Sequence, residues 1–401
     1  MVFSHKRFLA LERALHPEAF AIRRSHALSV TSLVKGIVCL PIVLYQFWIN
    51  RKSRSYFFYD KRIASYCSAL EPDLCVLIGS HGERKMAKEF GYSFVWGFPI
   101  SSSVDLAVWA KNQILFKVLL ISCFFIFRRI ERIVLFTYTD TQTIGEFFVT
   151  LTRLYPSKIE LVCIQHGFYV KSSARRILDG EKSKHNFLLD VHQASLFRTK
   201  KSRFFDIGLP YRTRCEPTAI GQVVFIGCGH TGLLSNGRDL LPELLGFFKR
   251  LDTLIVSNFK LTTVYRPHPS EKKKIYSDSL FTRYFDSVDM TDKVGLLSGN
   301  RKIFIGSFST LLYEAAVAGH VVIYVDPEYN DMKVLFRSHF SSTYFGVLPV
   351  IQFIENVVRN HVGFHSLYPE LEGQADPALL FKQALECVEG RLTCPDIFGP
   401  S

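Results

Sequence analysis

The fold of this chain is decided by residues 303–325, which have the sequence IFIGSFSTLLYEAAVAGHVVIYV. The β-branched and aromatic residues at its two ends predict buried parallel strands, and the Ala/Leu-rich middle predicts their crossover helix. In such α/β sheets, ligands bind just beyond the carboxyl ends of the strands. Ser307, Ser309 and Thr310 fall at this position. Hydroxyl and N–H groups at a helix start form a ready site for phosphate, although one of these residues could simply cap the helix.

A strand earlier in the chain, 263–265, ends in Arg266-Pro267-His268-Pro269. The prolines restrict the backbone around His268 and offer no N–H group that competes for its partner. Its imidazole can donate a hydrogen bond to a phosphate, and Arg266 shares its face if the strand continues. The alternative is an ordinary turn. Together with the hydroxyl cluster, the pattern favours an anion site at this edge.

Two further features belong to the same half of the chain. Glu314 lies one turn into the predicted helix, where its carboxylate could accept hydrogen bonds from ribose or simply complement the helix dipole. Strand 222–226 leads into Gly227-Cys228-Gly229, where the backbone can approach a ligand closely. A plain glycine-rich turn is an equally good interpretation.

The first half of the chain offers candidates for a general base. Strand 159–164 ends in Gln165-His166-Gly167, and a neutral His166 there can take a proton from an acceptor hydroxyl. Asp140 follows strand 132–138, and Glu146 lies in the helix after it. The structural alternatives are a carboxylate at a helix N-terminus for Asp140 and a surface position for Glu146.

Length and charge indicate the organisation of the molecule. A chain of 401 residues suits two domains, which we place at 1–215 and 216–401. The net charge of +13 comes from small dispersed basic groups without a nucleic-acid-binding motif, so a membrane surface and an anionic substrate are favoured over nucleic acid.

Cysteines and apolar segments bear on the compartment. The nine cysteines include no CxxC pair, which predicts mostly buried free thiols in a reducing compartment and no metal site. The apolar segments 36–49 and 114–127 are shorter than the ~20 residues of a spanning helix, so each is an interfacial helix or a core helix. Because no secretory signal begins the chain, we expect a cytoplasmic protein, peripheral on the inner face of the cytoplasmic membrane.

The His-Gly at 166–167, the Arg-Pro-His-Pro at 266–269 and the Ser-Phe-Ser-Thr at 307–310 together resemble motifs of bacterial surface-polysaccharide transferases with the GT-B architecture. The closest in kind are capsule Kdo transferases, sialyltransferases and teichoic-acid glycerophosphotransferases. The resemblance implies an α/β fold of two Rossmann-like lobes facing a central cleft, an acceptor-side lobe with a basic helical N-terminal region at 1–215 and a donor-binding lobe at 216–401. It also implies that His268, Ser309 and Thr310 bind the phosphate of a CMP- or CDP-activated donor, with Glu314 near the ribose. The base would be His166 by similarity to the glycerophosphotransferases, and Asp140 or Glu146 by similarity to the others.

The expected function is a metal-independent glycosyltransferase that moves an acidic sugar, such as Kdo or a sialic acid, from a CMP-linked donor to a bacterial capsule or lipopolysaccharide. Its partners would be that donor, an anionic glycan or glycolipid acceptor and the inner-membrane surface, with no cofactor and no nucleic acid. A CDP-glycerol-type glycerophosphotransferase, a nucleotide-sugar epimerase and a non-catalytic assembly protein remain alternatives. The candidate residues are His166, Asp140 and Glu146 for catalysis, and Arg266, His268, Pro269, Ser307, Ser309, Thr310, Glu314, Gly227 and Gly229 for donor binding.

Overall fold

The chain forms two compact units, one containing 1–166, 177–210 and 376–401 and the other 167–176 and 211–375. The computed structural model describes residues 38, 41–42, 45–46, 48–49, 54–59, 63, 66, 69–96, 132–140, 143–165, 180, 182–197, 202–209, 213–227, 234–235, 238–239, 241–269, 271, 284–285, 287–307, 309–325, 343–344, 346–359 and 376–393.

The first unit contains a seven-stranded, fully parallel sheet with the order β3-β2-β1-β4-β5-β6-β7. Its strands are largely buried apolar runs, as expected of a parallel sheet with both faces covered. The elements are β1 (Arg54–Tyr59), β2 (Cys75–Gly79), α1 (His81–Phe90), β3 (Ser93–Trp96), β4 (Arg132–Thr137), α2 (Thr143–Leu154), β5 (Ile159–Ile164), β6 (His185–Leu188) and β7 (Arg203–Asp206), with short 3-10 helices at Pro72–Leu74 and Val191–Leu196.

The second unit contains a five-stranded parallel sheet with the order β11-β8-β12-β13-β14. The strand–helix–strand unit predicted for 303–325 is confirmed as β12, α5 and β13. The elements are β8 (Gln222–Ile226), the hairpin strands β9 (Leu234–Ser235) and β10 (Arg238–Asp239), α3 (Leu241–Phe259), β11 (Thr262–Arg266), α4 (Lys293–Leu297), β12 (Ile303–Gly306), α5 (Thr310–Val317), β13 (Val321–Val325), β14 (Thr343–Tyr344) and α6 (Val347–Arg359).

The strand order of the second sheet identifies where a ligand would bind. From β8 the chain passes to β11 on one side of β8, and from there to β12 on its other side. Open α/β sheets bind ligands outside the carboxyl ends of the strands at such a reversal. The ends of β8 and β12 therefore border the favoured crevice of this sheet.

The last helix, α7 (Pro377–Val388), packs on the first sheet. Phe381 is fully buried, and its ring centroid lies 5.9 Å from that of Tyr66, 5.7 Å from that of Phe136 and 5.5 Å from that of Phe187. Arg132 Nη2 also donates to the carbonyl of Val388 at 2.7 Å. The apolar face of α7 thus groups residues 376–401 with the first unit, and a single boundary at 215 does not describe the C-terminus.

The structure bears on two predictions, that the cysteines are mostly free thiols and that no segment spans a membrane. Cys75, Cys163 and Cys215 are free, as predicted, but Cys387 in α7 is disulfide-bonded, which corrects the prediction for that residue. Within the described part of the chain, every helix is too short or too polar to cross a membrane. Segment 114–127 lies outside the described residues.

We predict that Phe381→Ala lowers the free energy of unfolding by about 3–5 kcal/mol, because it removes a fully buried ring from an aromatic cluster. The exposed Leu379, in the same helix, is the control, and Leu379→Ala should change that free energy by about 0.5 kcal/mol or less. Urea unfolding followed by circular dichroism measures both. Equal losses would contradict the packing of α7.

Candidate functional site

The predicted donor-binding residues gather at the carboxyl edge of the second sheet. Arg266, Ile226 and Gly306 are the aligned last residues of β11, β8 and β12. The three strands therefore end at the same level. Gly227 follows β8, Ser307 follows β12, and His268 lies two residues after β11. With neighbouring strands ~4.8 Å apart, the turn at His268 and the start of α5 are separated by about 10 Å, with Gly227 between them.

A buried carboxylate fixes the turn that carries His268. Glu271 Oε2 accepts from the His268 backbone N–H at 2.8 Å and from the Tyr265 hydroxyl at 3.0 Å, and both Glu271 and Tyr265 are fully buried. The Glu271 N–H donates to the His268 carbonyl at 2.8 Å, which closes a turn with Pro269 at its second position. Sequence reasoning missed Glu271, although its spacing of three residues from His268 was a usable signal.

The Glu271 carboxylate leaves no room for a side chain at position 227, which explains the glycine there. A Cβ atom at Gly227 would lie 2.2 Å from Glu271 Oε2, 2.6 Å from the Tyr265 hydroxyl and 2.9 Å from His268 N. The close approach predicted at Gly227 is therefore made to the protein's own clamp, by which we mean the Glu271 carboxylate with its two donors. Gly229 lies outside the described residues.

The environment of His268 favours the neutral imidazole. Burial lowers the pKa of His268 below its usual range, and the negative charge of Glu271 offsets part of that effect. A neutral imidazole carries one N–H donor, and a bound phosphate would raise its pKa by favouring the protonated form.

The hydroxyl cluster surrounds the N-terminus of α5. Ser309 is the N-cap, and its Oγ accepts from the N–H of Leu311 at 3.3 Å, while Thr310 begins the helix. Ser307 is completely buried, and its Oγ has no hydrogen-bond partner within the described part of the chain. An unsatisfied buried hydroxyl costs about 1–3 kcal/mol, so a ligand that accepts a hydrogen bond from Ser307 would recover that free energy.

Arg266 and Glu314 already have partners inside the protein. The Arg266 guanidinium is almost fully buried and donates to the Asp289 carbonyl at 3.2 Å, to Asp289 Oδ1 at 3.4 Å and to the Thr291 carbonyl. Arg266 thereby holds the segment that contains Asp289 and Thr291 along the edge of β11. Glu314 Oε1 lies 3.1 Å from Lys293 Nζ, so a ribose would have to share its carboxylate with that ammonium group.

Asp140 has a structural position in the first unit. Its Oδ1 accepts from Gly180 N at 2.9 Å, and its Oδ2 accepts from Lys182 N at 2.7 Å and from Ser183 Oγ at 3.1 Å. A fully buried carboxylate with three donors is poorly placed to take a proton from a substrate, which argues against the general-base role. His166 and the side chain of Glu146 lie outside the described residues, and the backbone of Glu146 is in α2.

Comparison with known proteins gives structural matches only, because no known family and no curated protein matches the sequence. The UDP-GlcNAc 2-epimerase of Methanocaldococcus jannaschii is 9% identical over 83% of this chain and 99% of its own, with a TM-score of 0.52. The UDP-GlcNAc 2-epimerase of Neisseria meningitidis, solved with UDP-GlcNAc bound, is 10% identical over 84% and 98%, with a TM-score of 0.50. CalG4, a calicheamicin glycosyltransferase, is 11% identical over 84% and 99%, with a TM-score of 0.45. The likeness to the epimerases shows the fold predicted from the sequence, α/β with two Rossmann-like lobes of the GT-B type.

We predict that Gly227→Ala lowers the free energy of unfolding by about 1–3 kcal/mol, because the new methyl group must displace Glu271 from a buried donor. Gly246, within α3, is the matched control, since a Cβ atom there meets nothing within 4 Å. Gly246→Ala should be neutral or stabilising by up to about 1 kcal/mol. Urea denaturation of both variants tests the clamp, and a neutral Gly227→Ala would contradict it.

We further predict that His268 titrates below its unfolded pKa of about 6.5. Because the unfolded chain then binds the extra proton more readily, the contribution of His268 to stability should be lost as the pH falls through about 6.5. NMR titration of the imidazole C2 proton, assigned by its absence in His268→Gln, gives the pKa directly. A value at or above the ordinary one would refute the prediction.

Proposed function

We propose that this chain is a glycosyltransferase that moves an acidic sugar from a CMP-linked donor to a bacterial surface glycan. The observation that carries the proposal is the arrangement at the carboxyl edge of the second sheet. There the turn of the half-buried His268 lies on one side of Gly227, and Ser307, two residues before the N-cap of α5, lies on the other side. The Ser307 hydroxyl has no hydrogen-bond partner among the described residues.

The chemistry of these groups suits a leaving nucleotide phosphate. In the reaction, a bond forms between an acceptor oxygen and the anomeric carbon, and the bond from that carbon to the phosphate oxygen breaks. Negative charge grows on the phosphate as CMP leaves, where the His268 imidazole, the Ser307 hydroxyl and the N–H groups of α5 can donate hydrogen bonds. One well-placed donor of this kind contributes about 3–4 kcal/mol to the transition state.

The acceptor hydroxyl must lose its proton to a base. Because Asp140 is held by three internal donors, His166 and Glu146 are the remaining candidates from the sequence. The net charge of +13 would attract both an acidic sugar donor and an anionic acceptor glycan.

A nucleotide-sugar epimerase is the second candidate, and the structural likeness to UDP-GlcNAc 2-epimerases favours it. A glycerophosphotransferase using CDP-glycerol would share the same phosphate contacts. The products separate the three activities. A transferase consumes an acceptor and releases CMP, an epimerase needs no acceptor and leaves the nucleotide sugar intact, and the glycerophosphotransferase requires CDP-glycerol.

We predict that CMP raises the melting temperature and that Ser307→Ala weakens CMP binding about tenfold or more without lowering the stability of the ligand-free protein. The physical reason is that the substitution removes a ligand donor that has no hydrogen-bond partner among the described residues. His268→Ala should weaken binding similarly. Ser257→Ala, at an exposed position on α3, is the control and should bind CMP normally.

Thermal-shift titrations with CMP, CDP, UDP and GDP measure these effects. Stabilisation by UDP alone, together with epimerisation of a UDP-sugar without acceptor, would replace the transferase proposal by the epimerase. Unchanged CMP binding in both His268→Ala and Ser307→Ala would remove the site.

A further inference from the structure

The segment before β1 presents an apolar stripe to solvent. The described residues between 38 and 49 are helical, and Val38, Ile42, Tyr45 and Ile49 are 59%, 42%, 65% and 56% exposed. On an α-helix, which advances about 100° per residue, positions 38, 42, 45 and 49 would fall within ~60° of one another. We call them the apolar stripe. It extends for about 17 Å at the helical rise per residue.

Such a stripe differs from the other exposed apolar side chains of the described residues. Leu348 in α6 and Leu379 in α7, for example, are single exposed positions, which are normal on protein surfaces. Four large, exposed apolar side chains at spacings of three and four residues indicate instead a surface that a membrane or another molecule covers.

The charge around the stripe indicates which kind of surface covers it. The sequence from 19 to 59 contains no Asp or Glu. The same stretch contains six basic residues, Arg23, Arg24, Lys35, Arg51, Lys52 and Arg54. Clusters of Lys and Arg beside an apolar helix face are attracted to anionic lipid headgroups. Pairing of two stripes in a dimer would instead bring two such cationic clusters together.

We propose that the apolar stripe lies among the acyl chains of an anionic lipid bilayer, with the flanking basic residues at the headgroups. The apolar segment 36–49 would be only about 21 Å long as a helix, whereas the hydrocarbon core is about 30 Å thick. It is therefore too short to cross and long enough to lie along the interface. This proposal is independent of the donor that the second unit binds.

The test is flotation of the full chain with vesicles of phosphatidylcholine alone or mixed with phosphatidylglycerol. We expect binding to the mixed vesicles, weakened by high salt, and little binding to phosphatidylcholine. The double variant Ile42→Glu/Ile49→Glu should bind about tenfold or more weakly. Leu348→Glu, which places the same charge at a 71% exposed position of another helix, should bind like the unaltered chain.

A second variant keeps the test decisive if the stripe substitutions disturb folding. Arg51→Glu/Lys52→Glu leaves the stripe intact and should also weaken binding to the anionic vesicles by about tenfold or more. Equal binding by the unaltered chain and both double variants would overturn the proposal. So would a dimer, detected by analytical ultracentrifugation, that is lost in Ile42→Glu/Ile49→Glu while vesicles are not bound.

Discussion

The candidate site depends on one buried carboxylate. Glu271 holds the Tyr265 hydroxyl of β11 and the backbone N–H of His268, and it fits only because Gly227, the residue after β8, has no side chain. Removing the Glu271 carboxylate would leave the buried Tyr265 hydroxyl and the half-buried His268 N–H without this acceptor, a cost that the surrounding apolar strands cannot offset. The position of His268 relative to the start of α5 is therefore set by packing inside the sheet, before any ligand arrives.

The sequence predicted those parts of the fold that rest on local patterns. The strand–helix–strand unit at 303–325 and the strand before His268 follow from runs of β-branched residues and from the prolines that end them. The sequence also predicted that His268 and Ser307 lie at the carboxyl edge of the sheet, because each directly follows a predicted strand. Glu271 could also have been predicted, because a carboxylate three residues after His268 can accept a hydrogen bond from the His268 backbone N–H.

Contacts between distant residues could not be predicted in this way. Arg266 was expected to face a phosphate, but its partner Asp289 lies 23 residues away, and the sequence does not show that this segment runs beside β11. Asp140 meets donors 40 to 43 residues later for the same reason. Helical periodicity indicates that α7 has an apolar face but not which sheet that face covers.

The packing of α7 on the first sheet affects how the first unit folds during synthesis. A ribosome adds about 5–20 residues per second, so roughly 10 to 30 s separate the synthesis of Leu209 from that of Asp376. During that interval Phe136 and Phe187 have left the ribosome without Phe381, which later buries them. The aromatic cluster of the first unit therefore cannot be completed until α7 has been synthesised.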